Sequence, residues 1–162
     1  MLNILSDEAI NALILETKTV PDGLRPFAKL IERNKHRRRD YEVACASSGN
    51  NFVIAIRQST LNTFDFSAIL GYRMPGLNTI FRLRRYNGKS HQHTNAIEKN
   101  NFRDFHVHTA TERYQRHGPR EDHFAVVDTR YWNIDGAVDC LLKDCGFRSP
   151  IESAPLFTGL MP

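Results

Sequence analysis

A chain of 162 residues is long enough for one domain with its own core and short for two. Apolar residues at 41% and charged residues at 25% give the balance of an ordinary globular protein, excluding a disordered tail, a collagen-like repeat and a coiled coil. The formal charge of +4 does not by itself announce a nucleic-acid binder, and apolar runs such as Val53-Ile54-Ala55-Ile56 are too short to cross a bilayer.

The elements read as follows in chain order. Met1-Leu2-Asn3-Ile4-Leu5 has no basic start before an apolar run, so no secretory signal is expected. Ser6-Asp7-Glu8, followed by Ile10, Leu13 and Ile14, reads as a capped helix over roughly 6–18. Pro21-Asp22-Gly23 stops it, and Phe27, Leu30 and Ile31 suggest a second short helix before Asn34. Strands follow over 41–47 and 52–58, joined by the turn Ser48-Gly49-Asn50-Asn51. Further strands are expected at 64–72, 79–86, 102–110 and 123–128. Ile134 to Cys145 is a C-terminal helix with Gly146 as its stop. From Ser149 the chain holds three prolines and no period, so an extended tail is expected over 149–162 after a single domain of 1–148. The fold class is α+β: about six antiparallel strands with helices from both ends packed on one face.

Cys45, Cys140 and Cys145 are odd in number and lack the spacing of a zinc or redox motif. They read as small buried apolar residues of a reducing, cytoplasmic compartment.

The informative stretch surrounds residue 90. Alternate residues of a strand share a face. Phe81 and Leu83 then point one way and Arg82 and Arg84 the other, while Phe105 and Val107 oppose Asp104, His106 and His108. If the two strands pair, one face is apolar and the other gathers arginines, histidines and a carboxylate. His91, His93, Thr94 and Asn95 add to the set from the connection, and Glu112-Arg113-Tyr114 continue it.

Three chemistries could use such a face. Arginines with histidines could hold phosphate groups, and paired histidines beside arginine would suit metal-free phosphodiester cleavage. His-x-His on a strand sends both imidazoles to one side, where His91, His93 or Glu112 could complete a metal site. Finally, the histidines could hydrogen-bond neighbouring backbone and fix the long loop. Arginines on the same face disfavour a divalent cation unless a bound phosphate separates them.

Arg33-Asn34-Lys35-His36-Arg37-Arg38-Arg39 is the other charged feature, either a solvated linker or a phosphate-contacting patch. Tyr72, Tyr86, Tyr114 and Phe102 are aromatics that could stack on bases or fill the core. Ser47, Ser48 and Ser90 lack a nucleophile elbow, which disfavours a serine hydrolase. Gly118-Pro119-Arg120-Glu121-Asp122 reads as a strand connection rather than a catalytic loop.

The order Arg73, Arg82-Leu83-Arg84, His93-Thr94-Asn95, His106-Val107-His108 and Glu112-Arg113-Tyr114 resembles a small bacterial family of unknown function found in variable or mobile gene neighbourhoods. The resemblance covers about residues 40–145. Its members tend to carry His-x-Asn-Pro before the His-x-His strand, where Ala96 stands here, and an acidic residue after Arg-Leu, where Arg84 stands here. It implies a cytoplasmic accessory protein of bacterial or phage-like origin and supplies no activity.

The leading expectation is an RNA or other phosphate-bearing ligand held by Arg73, Arg82, Arg84, His93, Asn95 and Arg113. His106, His108 and Glu112 would be the acid and base groups of a ribonuclease that needs no cofactor. The alternatives are a non-enzymatic protein-interaction module with structural histidines, such as an antitoxin or defence component, and a metal-dependent hydrolase. The charge distribution points to the same stretch. Residues 1–32 carry 3 basic and 5 acidic groups, 33–72 carry 6 and 3, 73–120 carry 10 and 3, and 121–162 carry 3 and 7.

Overall fold

The computed structural model describes residues 3–24, 31–118 and 120–150. The chain begins with helix α1 (Asp7–Leu15) and the short strand β1 (Lys18–Thr19). The strands β2 (Ile31–Arg33), β3 (His36–Ala44), β4 (Asn51–Ser59), β5 (Phe66–Arg73) and β6 (Ile80–Asn87) follow. Next come β7 (His93–Thr94), β8 (Asn101–Phe102), β9 (His106–Thr109), α2 (Glu112–His117) and β10 (Ala125–Val127). Helix α3 (Ile134–Asp144) and β11 (Phe147–Arg148) close the described chain.

The α+β class is as expected, with a seven-stranded antiparallel sheet in the order β10-β9-β6-β5-β4-β3-β2. Helix α3 packs on β5 and β6, and α1 on β6. Ser6 caps α1 by accepting from the Ala9 N–H, and Asn133 caps α3 by accepting from the Gly136 N–H, each satisfying an otherwise unpaired donor of the first turn. The core lies between helices and sheet: Ile10 and Ile14 of α1, and Val138 and Leu141 of α3, meet Ile54, Leu70, Leu83 and Tyr86. The three cysteines are buried and free. Among the described residues no helix is long and apolar enough to cross a membrane.

Lys18 is the unexpected core residue, 1% exposed. Its ammonium donates to the carbonyls of Leu13, Ile14 and Glu16 at the end of α1 and of Cys145 at the end of α3, at 2.8–3.0 Å. A helix end leaves carbonyls without intrahelical partners, and one cation answers two such ends here.

Three expectations change. Ile31, expected in a short helix with Phe27 and Leu30, belongs instead to β2, which pairs with β3 through a turn whose residues Asn34 and Lys35 have φ of 47° and 67°. Two successive left-handed residues make the tight hairpin turn that matches strand twist, so the basic segment is a hairpin. Residues 25–30 lie outside the described chain, as does the expected tail beyond Pro150. The strand expected at 102–110 divides into β8 and β9, because β8 pairs with β7 in a separate two-stranded hairpin.

The third change concerns Arg84. Leu70 of β5 pairs with Arg84, but the next residue, Gly71, pairs with Arg82, so β6 bulges at Leu83. One extra residue reverses the alternation on either side of it. Arg84 therefore joins Leu83 and Tyr86 on the helix side, where its guanidinium reaches the Tyr86 hydroxyl at 3.4 Å and the Asp144 carboxylate of α3 at 3.7 Å. The expectation that Arg84 lies on the histidine face is corrected.

Candidate metal centre

After the bulge, β6 presents Arg85 and Asn87 to the face opposite the helices. The register sets Arg85 against His108 and Asn87 against His106. As expected from the His-x-His spacing, both imidazoles of β9 point to one side. The β7–β8 hairpin folds over them and brings in His93, whose ring centroid lies 5.4 Å from that of His106 and 4.7 Å from that of His108. Among the described residues, His93, His106 and His108 form the one group of three whose potential ligand atoms lie within 4.8 Å of one another.

The hairpin is held by Asn95. Its side-chain amide accepts from the Ala125 N–H at 2.9 Å and donates to the Ala125 carbonyl at 2.8 Å, as a strand residue would. That fixes which end of the amide is oxygen, so the contact from His93 Nε2 to Asn95 Oδ1 at 3.0 Å is a donation by the imidazole. His106 Nδ1 donates to the Asp104 carbonyl at 2.7 Å and His108 Nδ1 to the Asp122 carbonyl at 2.8 Å. Each ring thus carries its proton on the nitrogen that makes this bond. Lone pairs remain on His93 Nδ1, His106 Nε2 and His108 Nε2. Metal-binding histidines are held in this way, with the second nitrogen donating to a carbonyl or similar acceptor that fixes tautomer and ring orientation.

Burial favours the neutral rings. His93, His106 and His108 are 6%, 0% and 2% exposed. Desolvation pushes the pKa of His106 down to about 4 against the opposing pull of the Asp104 carbonyl, and pushes His108 further down with help from the Arg85 charge. His93 is lowered chiefly by burial as well. Neutral imidazole is the form that ligates metals. Burial at the same time works against the doubly protonated ring that one half of acid–base cleavage would use.

The Asn87 amide nitrogen sits 3.5 Å from His106 Nε2 and 3.3 Å from His108 Nε2. Its oxygen accepts from Ser67 Oγ at 2.9 Å, which turns both N–H groups toward the imidazoles. These two long contacts are the hydrogen bonds an entering cation must displace. Asp122, 0% exposed, holds Arg85 Nε at 3.0 Å through Oδ2, while its Oδ1 has no hydrogen-bond partner and lies 3.8 Å from Arg82 Nε.

The structure brings only part of the sequence-derived set together. His93, His106, His108 and Asn95 converge, and Arg82 borders them beside Glu121 at 3.6 Å and Asp122. Arg73 is ion-paired to Glu42, and lies about 20 Å along β5 from Ser67 at the histidine end. Arg113 is paired with Glu98, and Glu112 bonds Arg116 one turn along α2. Each of these expected phosphate ligands therefore already has a carboxylate, and Glu112 is not at the cluster. Tyr72, Tyr86 and Tyr114 are buried in the interior, while Phe102 packs against the rings of His93 and His106.

Sequence reasoning missed Asn87, Arg85 and Asp122. Asn87 lies just past the strand expected at 79–86, and Asp122 in the segment read as a plain strand connection. The available signal was Gly71: an isolated glycine inside a strand pattern marks a bulge, and a bulge exchanges Arg84 for Arg85.

Beside the cluster is a pocket of about 360 Å³ lined by Ala96, Tyr114, His117, Gly118, Arg120 and His123. His123 is shared between the two, its ring 5.1 Å from His93 and 5.7 Å from Tyr114, with Nε2 donating to the Thr94 carbonyl at 3.1 Å.

No family model matches the chain, and neither a curated protein nor a solved structure matches it.

Proposed function

We propose that this protein binds one divalent transition-metal ion through His93 Nδ1, His106 Nε2 and His108 Nε2 and uses it for hydrolysis of a phosphate ester. The observation behind this reading is the convergence of three buried, neutral imidazoles whose other nitrogens are all fixed by acceptors. Three nitrogen ligands suit zinc and its neighbours, and leave a fourth position for water or substrate, as catalytic sites do. An ion there would lower the pKa of a bound water toward 7 and polarise a phosphoryl oxygen. Water adds to phosphorus, the ester P–O bond breaks, and the departing oxygen takes the proton that the water loses. Arg82 and Arg85, held by Asp122, supply positive potential on the same face.

A second reading has its own observation. Asn87 already donates toward two of the three free nitrogens, so the cluster could be a closed hydrogen-bond network. The protein would then be a non-enzymatic interaction module, and the exposed Val126, Val127 and Trp132 near one sheet edge would serve its contacts.

Zinc content after dialysis separates the two. The metal reading predicts about one ion per chain, less than a tenth of that in a variant carrying His106→Ala with His108→Ala, and phosphodiester turnover that follows occupancy. Wild-type protein that retains no zinc, or a folded variant that retains as much, overturns it.

A further inference from the structure

The metal reading leaves a charge problem on this face. A dication among three neutral imidazoles would stand beside Arg82 and Arg85, with only Glu121 and the buried Asp122 to balance them. With such an ion the face would carry more positive than negative charge and would attract an anion.

The pocket is shaped to supply one. Its lining contains no carboxylate. Arg120 is exposed and, among the described residues, has no hydrogen bond or ion pair, whereas Arg57, Arg73, Arg82, Arg84, Arg85, Arg113 and Arg130 each lie beside a carboxylate. The rings of His117 and His123 line it, packed against the buried Tyr114 ring at 6.0 Å and 5.7 Å between centroids. A volume of about 360 Å³ falls in the range of small-molecule sites. Two imidazole rings with one free guanidinium match a molecule that joins an aromatic ring to a phosphate.

We propose that the pocket beside His123 binds a nucleotide, with Arg120 on the phosphate and the rings of His117 and His123 against the base. His123, which lines the pocket and packs against His93 at 5.1 Å, links the nucleotide site to the three-histidine cluster. This deepens the hydrolase reading by naming its substrate class, and rests on that reading for the ion. The nucleotide could be free or the end of an RNA strand.

Titration calorimetry with adenosine 5′-monophosphate, adenosine and a short oligoadenylate, on zinc-loaded protein, tests this. The monophosphate should bind at least tenfold more tightly than adenosine. Arg120→Ala should remove that advantage and leave zinc content unchanged, and His117→Ala should weaken both ligands. Tighter binding of the oligoadenylate than of the monophosphate would mark an RNA end as the natural source, and the reverse a free nucleotide. Equal binding of monophosphate and adenosine, or an Arg120→Ala protein that binds as the wild type does, overturns the pocket. The same titration on chelator-treated protein keeps the two claims apart. Failure to take up zinc sinks the metal reading, while loss of phosphate preference with full zinc sinks only the pocket.

Discussion

Asn95 bonds Ala125 through both ends of its side-chain amide, so one residue of the β7–β8 hairpin behaves as an extra strand residue on β10. The same Oδ1 accepts from His93 Nε2, which ties the position of His93 to the edge of the sheet. Asn95→Ala would leave the His93 donor and the outward N–H and C=O of Ala125 unpaired in a buried place. Each such group costs about 1–3 kcal/mol, and with partial relaxation a total of about 2–4 kcal/mol is expected. Chemical denaturation should show that loss, together with at least a tenfold fall in zinc affinity. A variant with unchanged affinity would separate the hairpin from the site.

The three histidines also set a pH dependence. Burial lowers His106 from the usual 6.5 to about 4, and lowers His93 and His108 as well. A histidine depressed in the folded state is neutral there while the unfolded chain binds its proton, so the unfolded state gains as pH falls. Stability from these groups is complete above about pH 6.5 and is lost as the pH falls from there toward 4, with His106 alone contributing about 3 kcal/mol. Urea midpoints for metal-free protein should fall through this window, and His106→Phe should flatten part of the slope. Bound zinc should leave over the same range, because protons compete for the lone pairs.

Lys18 gives a prediction away from the site. Its ammonium answers four carbonyls at the ends of α1 and α3 and lies 4.5 Å from the centre of the Phe52 ring. Lys18→Met keeps the apolar length and removes the donors. A loss of about 2–4 kcal/mol is expected for charged hydrogen bonds to buried acceptors, read as a lower denaturation midpoint. Zinc content and nucleotide binding should be unchanged. A loss below about 1 kcal/mol would mean that water takes over these carbonyls.

Much of the framework was legible because it is local. Ser6 and Gly146 mark helix ends by their own chemistry, and Gly146 has φ of 74° as a helix stop requires. The alternation of His106-Val107-His108 places two ligands on one face with no knowledge of neighbours. What escaped depends on partners. Arg84 and Arg85 cannot be told apart until β6 is paired with β5 and the bulge opposite Gly71 is counted. Strands β7 and β8 are two residues each, too short for any period, and owe their place to Asn95 and Ala125. The hairpin at Asn34-Lys35 needs two left-handed residues, and lysine is an unusual choice for one of them. Arginine excess looked like an anion-binding face until Glu42, Glu98, Glu121, Asp122 and Asp144 arrived beside it in three dimensions.

The central claim is that three imidazoles close on one ion. X-ray absorption at the zinc edge, on protein loaded with one equivalent, reads the ligand set directly. The account predicts three imidazole nitrogens at about 2.0 Å plus one oxygen ligand, with the imidazole signature reduced in His93→Ala. A spectrum of water ligands alone, of sulfur from the buried cysteines, or one unaltered by His93→Ala would contradict it.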